Sequence, residues 1–135
     1  MYNDQKLQLH EEAPDRREKV LLVEDNDHLR KLYGMYLIMN DFDVVTASDG
    51  LDALNVLENY TPEIIILDIT MPVIDGLTLL NIIKGTAGLC KIPVIMLTAN
   101  EDILSKCFEY GASGYINKGS NTCKELVTKI STLVR

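Results

Sequence analysis

From residue 19 onward the chain alternates short apolar runs with amphipathic stretches. Val20-Leu21-Leu22-Val23, Ile64-Ile65-Ile66-Leu67 and Pro93-Val94-Ile95-Met96-Leu97 are continuous apolar runs. A short run without polar alternation predicts a strand buried on both faces, as in a parallel sheet. Val44-Val45 and Tyr115-Ile116-Asn117 are weaker runs and predict two more strands. Between the runs the apolar spacing becomes three and four, the helical period. Asn26 caps a helix with Leu29, Leu32, Tyr33 and Tyr36 inward, and Asp49 caps one with Ala53, Leu54 and Leu57 inward. Asp75-Gly76 opens a third helix that runs to about Lys84, followed by a loop over 85–91. Asn100 caps a fourth, with Ile103, Leu104, Cys107 and Phe108 inward. The last helix carries Leu126, Val127, Ile130, Leu133 and Val134. Five strand–helix units in strict alternation predict an α/β fold, a three-layer, doubly wound (βα)5 domain with a five-stranded parallel sheet.

Residues 1–18 have a different texture, with five acids and three bases, Pro14 and few apolar positions. They read as a flexible N-terminal arm, in which Leu7 and Leu9 are the residues able to dock, and 19–135 as the folded domain. The chain has 135 residues and a formal charge of −7. An acidic balance argues against direct nucleic-acid binding, which needs clustered bases to neutralise phosphates. No apolar run is long enough to span a bilayer, and the residues after Met1 form no secretory signal. Cys90, Cys107 and Cys123 are odd in number with no paired spacing, which predicts free thiols in a reducing cytoplasm. His10 and His28 are isolated and have no metal-ligand partner at useful spacing.

In a doubly wound sheet, ligands bind beyond the carboxyl ends of the strands. Those ends carry Glu24-Asp25, Asp68, Thr98 and, near the fifth strand, Lys118. Glu24-Asp25 alone is an ordinary strand-to-helix turn. If the first and third strands are neighbours, however, three carboxylates converge. Two like charges ~4 Å apart repel by roughly 4 kcal/mol at an effective dielectric near 20. A hard divalent cation with oxygen ligands relieves that repulsion, and Mg²⁺ is the usual choice beside phosphate. A carboxylate there can attack phosphorus and form an acyl phosphate. Thr98 can donate to a phosphoryl oxygen, small Ala99 leaves room for it, and Lys118 can pair first with Asp68 and then with the phosphoryl group.

The set Glu24-Asp25, Asp68 with Met71-Pro72 and Asp75-Gly76, Thr98-Ala99, and Lys118 resembles the CheY-like receiver domain of two-component response regulators. The resemblance spans about residues 19–135 and implies a flavodoxin-like sheet of order 2-1-3-4-5. It implies that Asp68 is the phosphoacceptor, served by a sensor histidine kinase or a phosphotransfer protein. The implied Mg²⁺ ligands are Glu24, Asp25, Asp68 and the Thr70 backbone carbonyl. Thr98 and Tyr115 would be a switch pair, and Thr70 and Asn100 would tune how water reaches the acyl phosphate. The implied output face is the fourth helix, fifth strand and last helix, where Lys106, Glu109, Lys124 and Lys129 make a mixed-charge surface for an effector or for self-association.

By this reading the chain is a phosphorylation-dependent switch, not an enzyme acting on an outside substrate. It reads as a stand-alone receiver, with a receiver cut from a longer regulator as the nearest alternative. The competing class is a Mg²⁺-dependent phosphatase of haloacid-dehalogenase type, which also uses an aspartyl nucleophile. That class favours a second acid two residues after the nucleophile, where this chain has Thr70. One departure from the receiver pattern stands out. Receivers usually place proline after the lysine, commonly with a cis peptide, and here the pair is Lys118-Gly119. A cis bond without proline costs about 2.5–4 kcal/mol, so a trans or rearranged loop is expected.

Overall fold

A computed structural model describes residues 17–135. The elements are β1 (Lys19–Val23), α1 (Asp27–Met39), β2 (Asp43–Ala47), α2 (Gly50–Leu57), β3 (Ile64–Asp68), α3 (Gly76–Lys84), β4 (Val94–Thr98), α4 (Leu104–Glu109), β5 (Gly114–Asn117) and α5 (Thr122–Val134). A 3₁₀ turn, Glu101–Ile103, leads into α4. The five strands form one parallel sheet in the order β2-β1-β3-β4-β5, as the resemblance implied. Of the N-terminal arm, only Arg17 and Glu18 are described; Leu7, Leu9 and His10 lie outside the described residues.

The continuous apolar runs are continuous because both faces of the central strands are covered. Leu21, Val23, Ile65, Leu67, Val94 and Met96 face one layer with Ala53, Leu79, Leu80, Ile83 and Cys107 of α2, α3 and α4. Val20, Leu22, Ile64, Ile66, Ile95 and Leu97 face the other, with Tyr33 and Leu37 of α1 and Leu126 and Ile130 of α5. A sheet with both faces dry leaves only its strand ends in water, and polar chemistry is confined there.

Helix starts follow the capping residues. Asn26, Asp49 and Asp75 side chains accept from the backbone N–H of Leu29, Asp52 and Thr78 at 2.9, 2.8 and 2.8 Å. Asn100 caps the 3₁₀ turn through Asp102 N at 2.9 Å. Three positions expected inward face outward. Leu32, Phe108 and Leu133 are 46, 47 and 41% exposed. On α1 the buried line runs through Tyr33 and Leu37, which turns Leu32 about 100° away from the core. Phe108 sits on a six-residue helix entered through the 3₁₀ turn, whose tighter winding shifts the inward line onto Cys107. Leu133 keeps nearly the phase of Leu126 but stands in the last turn of α5, one turn past Ile130, the last buried residue of that helix.

Glu18, grouped by charge with the arm, is held by the fold. Its carbonyl accepts from Asp43 N at 2.9 Å, and its Oε1 lies 2.7 Å from Arg135 Nε. Among the described residues no helix is long and apolar enough to cross a membrane.

Candidate acidic site at the strand ends

β1 and β3 are hydrogen-bonded neighbours, with Val23 opposite Leu67. Their ends therefore deliver Glu24, Asp25 and Asp68 to one place, where one carboxylate oxygen of each lies within 4.8 Å of the others. Glu24 is fully buried, Asp68 is 3% exposed and Asp25 is exposed. The Glu24 side chain accepts from Asn26 N at 3.2 Å, and its own carbonyl accepts from Arg30 at 2.9 Å. Asp68 Oδ1 accepts from Thr70 N at 3.3 Å.

The connection after Asp68 is fixed by close packing. Gly76 N donates to the Ile69 carbonyl at 2.8 Å, pulling the start of α3 against the end of β3. A Cβ at Gly76 would lie 2.2 Å from the Asp68 carbonyl oxygen, so only glycine allows this approach.

Lys118 enters from the far side of the sheet. Its N–H donates to the Thr98 carbonyl at 2.7 Å, which prolongs the β4–β5 pairing by one residue. Its Nζ then lies 2.8 Å from Glu24 Oε1 and 3.2 Å from Asp68 Oδ2. The pairing with Asp68 was expected. That Glu24 is the nearer partner was not legible, because nothing in the order of residues says which carboxylate a lysine from another strand reaches.

The charges do not balance. The Asp68 pKa is raised to about 7: burial raises it most, the Glu24 charge adds to that, and Lys118 opposes both. Burial works against the Lys118 charge, but hydrogen bonding and attraction from Glu24 and Asp68 overcome it, and its pKa is raised. Glu24 Oε1, completely buried, has the Lys118 ammonium at 2.8 Å as its partner among the described residues. Three carboxylates within 4.8 Å of one another, two of them buried and sharing one ammonium, fit a hard divalent cation.

The remaining candidates divide into two groups. Thr98 is buried at the end of β4, and its hydroxyl turns back onto its own loop. It donates to the Asn100 carbonyl at 2.6 Å and accepts from Asn100 N at 2.8 Å. Ala99, Asn100 and Thr70 are exposed at the rim. Tyr115 lies opposite Met96 on β5, half-buried. Its ring meets Phe108 edge-on at 6.3 Å, with Lys129 Nζ 5.8 Å from its centroid. The structure thus joins Glu24, Asp25, Asp68 and Lys118 in one cluster, and lays Thr98 and Tyr115 along the adjoining β4–β5 edge. The peptide bond before Gly119 is trans, as expected without proline.

A buried acid at the lip of a parallel sheet, flanked by two more acids and a lysine, offers a set of oxygen ligands that could hold a hard cation. The receiver-domain model of response regulators matches residues 20–131, and the chain belongs to that family. It is 38% identical over 123 residues to the probable transcriptional regulator ycf27 of Guillardia theta, covering 90% of this chain and 47% of that protein. It is 40% identical over 119 residues to the probable transcriptional regulator ycf29 of Pyropia yezoensis, covering 86% and 53%. The chain spans about half the length of these relatives. Among solved structures, Vibrio cholerae chemotaxis protein CheY4 is similar with a TM-score of 0.81 and 27% identity, over 87% of this chain and 99% of that one. The receiver domain of the Pseudomonas aeruginosa sensor histidine kinase PA1611, with magnesium coordinated in its active-site cleft, gives 0.79 and 26%, over 87% and 97%. The family is the receiver, and the comparisons give no support to the dehalogenase-type phosphatase.

Proposed function

We propose that this chain is a phosphorylation-controlled switch in which Asp68 accepts a phosphoryl group. The donor is a phosphohistidine on a sensor histidine kinase or phosphotransfer protein. A carboxylate oxygen of Asp68 bonds to phosphorus, the phosphorus–nitrogen bond breaks, and the released imidazole takes up a proton. The observation that carries this reading is the position of Asp68, buried at the lip with Glu24, Asp25 and Lys118 around it.

Glu24, Asp25 and Asp68, with the Thr70 backbone carbonyl, are the residues that would hold Mg²⁺, and the PA1611 receiver gives a precedent for the ion in such a cleft. When bound, the ion supplies charge neutralisation to the phosphoryl oxygens. The chain's own residues do the rest. Lys118 holds Asp68 in place and then pairs with the incoming phosphoryl oxygens. Ala99 leaves them room, and the exposed Thr70 and Asn100 govern access of water to the acyl phosphate.

Thr98 and Tyr115 are the switch in this reading. Thr98 exchanges its hydrogen bonds with Asn100 for one to the phosphoryl group. Tyr115 leaves Phe108 and turns inward, altering the α4–β5–α5 face on which Lys106, Glu109, Lys124 and Lys129 lie. That face binds an effector protein or a second copy of the chain. The free thiols Cys90, Cys107 and Cys123 suit a reducing, cytoplasmic setting. The chain transforms no outside substrate beyond taking up and slowly releasing its own phosphoryl group.

Incubation with acetyl phosphate and MgCl₂, read by intact mass, tests the proposal. Wild type gains one phosphoryl group, and Asp68→Asn gains none. Equal labelling of the two proteins, or none in either, sinks it.

A further inference from the structure

The residue that follows Lys118 is fixed by a hydroxyl group. Gly119 N donates to Thr122 Oγ1 at 2.8 Å, and the same hydroxyl donates to the Gly119 carbonyl at 2.9 Å. One side chain thus closes both backbone groups of Gly119. Thr122 is the first residue of α5 and is 2% exposed. The buried Tyr33 ring of α1 lies against it, where Thr122 hydrogen bonding lowers the phenol pKa against the larger upward effect of burial. The hydroxyl is thus enclosed between the Gly119 backbone and the Tyr33 phenol, almost out of contact with solvent.

Lys118 is therefore gripped on both sides. Its own N–H is paired with the Thr98 carbonyl at 2.7 Å, and its successor is locked by Thr122. Between those two anchors its side chain spans to Glu24 and Asp68. The lock depends on an N–H at position 119, which proline lacks. It does not depend on glycine. A Cβ at Gly119 meets no atom within 4 Å, and Gly119 is not among the residues with positive φ.

We infer that Thr122 is a positioning residue for Lys118, its hydroxyl fixing the Lys118-Gly119 backbone so that the ammonium group is held between Glu24 and Asp68. The inference rests on the proposed role of Lys118 as the phosphoryl-binding cation. It assigns to a buried threonine, through a backbone N–H, the restraint that a proline ring would otherwise impose. Losing a hydrogen bond of this kind lowers the ratio of properly placed to displaced Lys118 by about fivefold.

The test measures the phosphorylation rate of the whole chain with acetyl phosphate and MgCl₂, with thermal melts alongside. Thr122→Val is nearly isosteric and removes the hydroxyl; it slows phosphorylation about fivefold. Thr122→Ser and Gly119→Ala keep the hydroxyl and the N–H, and both stay within about twofold of wild type. Lys118→Met sets the scale, and Thr122→Val/Lys118→Met is no slower than Lys118→Met alone, because a residue acting through Lys118 has nothing left to position. Should Thr122→Val fail to fold, Thr122→Ala carries the same comparison. Wild-type speed in the hydroxyl-free variant overturns the inference, as does an equal slowing in the Lys118→Met background, which marks a merely structural effect. Lys118→Met at wild-type speed overturns the role of the lysine itself, and the inference with it.

Discussion

Both ends of the sheet are closed by ion pairs, and the two differ in balance. At the amino ends Glu18 and Arg135 meet one to one at 2.7 Å. The Arg135 guanidinium also lies 4.2 Å from the centroid of the Phe42 ring and donates to the Asn40 carbonyl at 3.3 Å. Those two charges answer each other, and the clasp ties the end of α5 to the start of β1. At the carboxyl ends, among the described residues, one lysine pairs with Glu24 and Asp68, and Asp25 lies beside them. Two of those acids are almost wholly buried, where unpaired charge is most costly. A one-to-one pair needs nothing more and belongs to the architecture. A cluster with surplus negative charge stores a demand for a cation, and that demand makes it a site.

The sharpest way to break the comparison is to disturb the acidic end without touching a charge. Gly76→Ala would set a Cβ 2.2 Å from the Asp68 carbonyl oxygen and 2.6 Å from Ile69 Cα, both backbone atoms. Backbone cannot rotate away, so α3 or the end of β3 must shift. We expect a loss of about 3 kcal/mol, as for strong overpacking, read from the urea midpoint. Loss of acetyl-phosphate labelling should accompany it. A Gly76→Ala protein of wild-type stability would mean that the end of β3 is looser than the packing indicates.

The next largest effect comes from removing the cation that pairs with Glu24 and Asp68. Lys118→Met leaves Glu24 and Asp68 buried and uncompensated, which costs about 3–5 kcal/mol for a fully buried pair. The lysine side chain is 20% exposed and Asp68 can take up a proton, so about 2 kcal/mol near pH 7 is the expected loss. The pH dependence has a definite sign. With its pKa raised from 3.8 to about 7, Asp68 keeps its proton in the folded chain where the unfolded chain has released it. Across that window the folded state binds more protons, so without divalent cation its contribution to stability falls as pH rises from about 4 to 7. Lys118→Met should extend that fall to higher pH, and MgCl₂ should flatten it in wild type. Urea midpoints across the pH range check both, and a midpoint that rises through this window would contradict the charge surplus.

Much of this contrast was legible in the chain, for reasons that differ by region. The three central strands announce themselves because both faces are dry, so burial appears as unbroken runs at 20–23, 64–67 and 94–97. The acids that follow two of those runs are visible for the same reason, since polarity can begin only where the sheet ends. Helix faces were less legible. Leu32 and Phe108 are apolar at nearly the right phase, and a shift of one residue or a 3₁₀ entry turns each to solvent, while Leu133 is in phase but lies in the last turn of α5. Least legible were the cross-chain pairings. Glu24 with Lys118 spans 94 positions and Glu18 with Arg135 spans 117, and each depends on where separate strands and helices end. Thr122 gave no signal of its own, because a threonine opening a helix is ordinary until its partner is seen to be Gly119.

The smallest expected effect belongs to the balanced end and completes the comparison. Arg135→Ala removes the pair with Glu18 and the contact with Phe42 together. Exposed ion pairs contribute about 0–1 kcal/mol and an exposed cation–π contact about 0.5–1. Glu18 remains partly accessible, so it can be rehydrated in place and leaves no buried orphan charge. The loss should be about 1 kcal/mol in the urea midpoint, reduced at high salt, with no change in acetyl-phosphate labelling. The same substitution in a Lys118→Met background should cost the same amount again, because the two clusters close opposite ends of the sheet and share no partner. Coupling between them would show that the apolar layers transmit strain from one end to the other, and that the lower clasp takes part in the site as well as in the architecture.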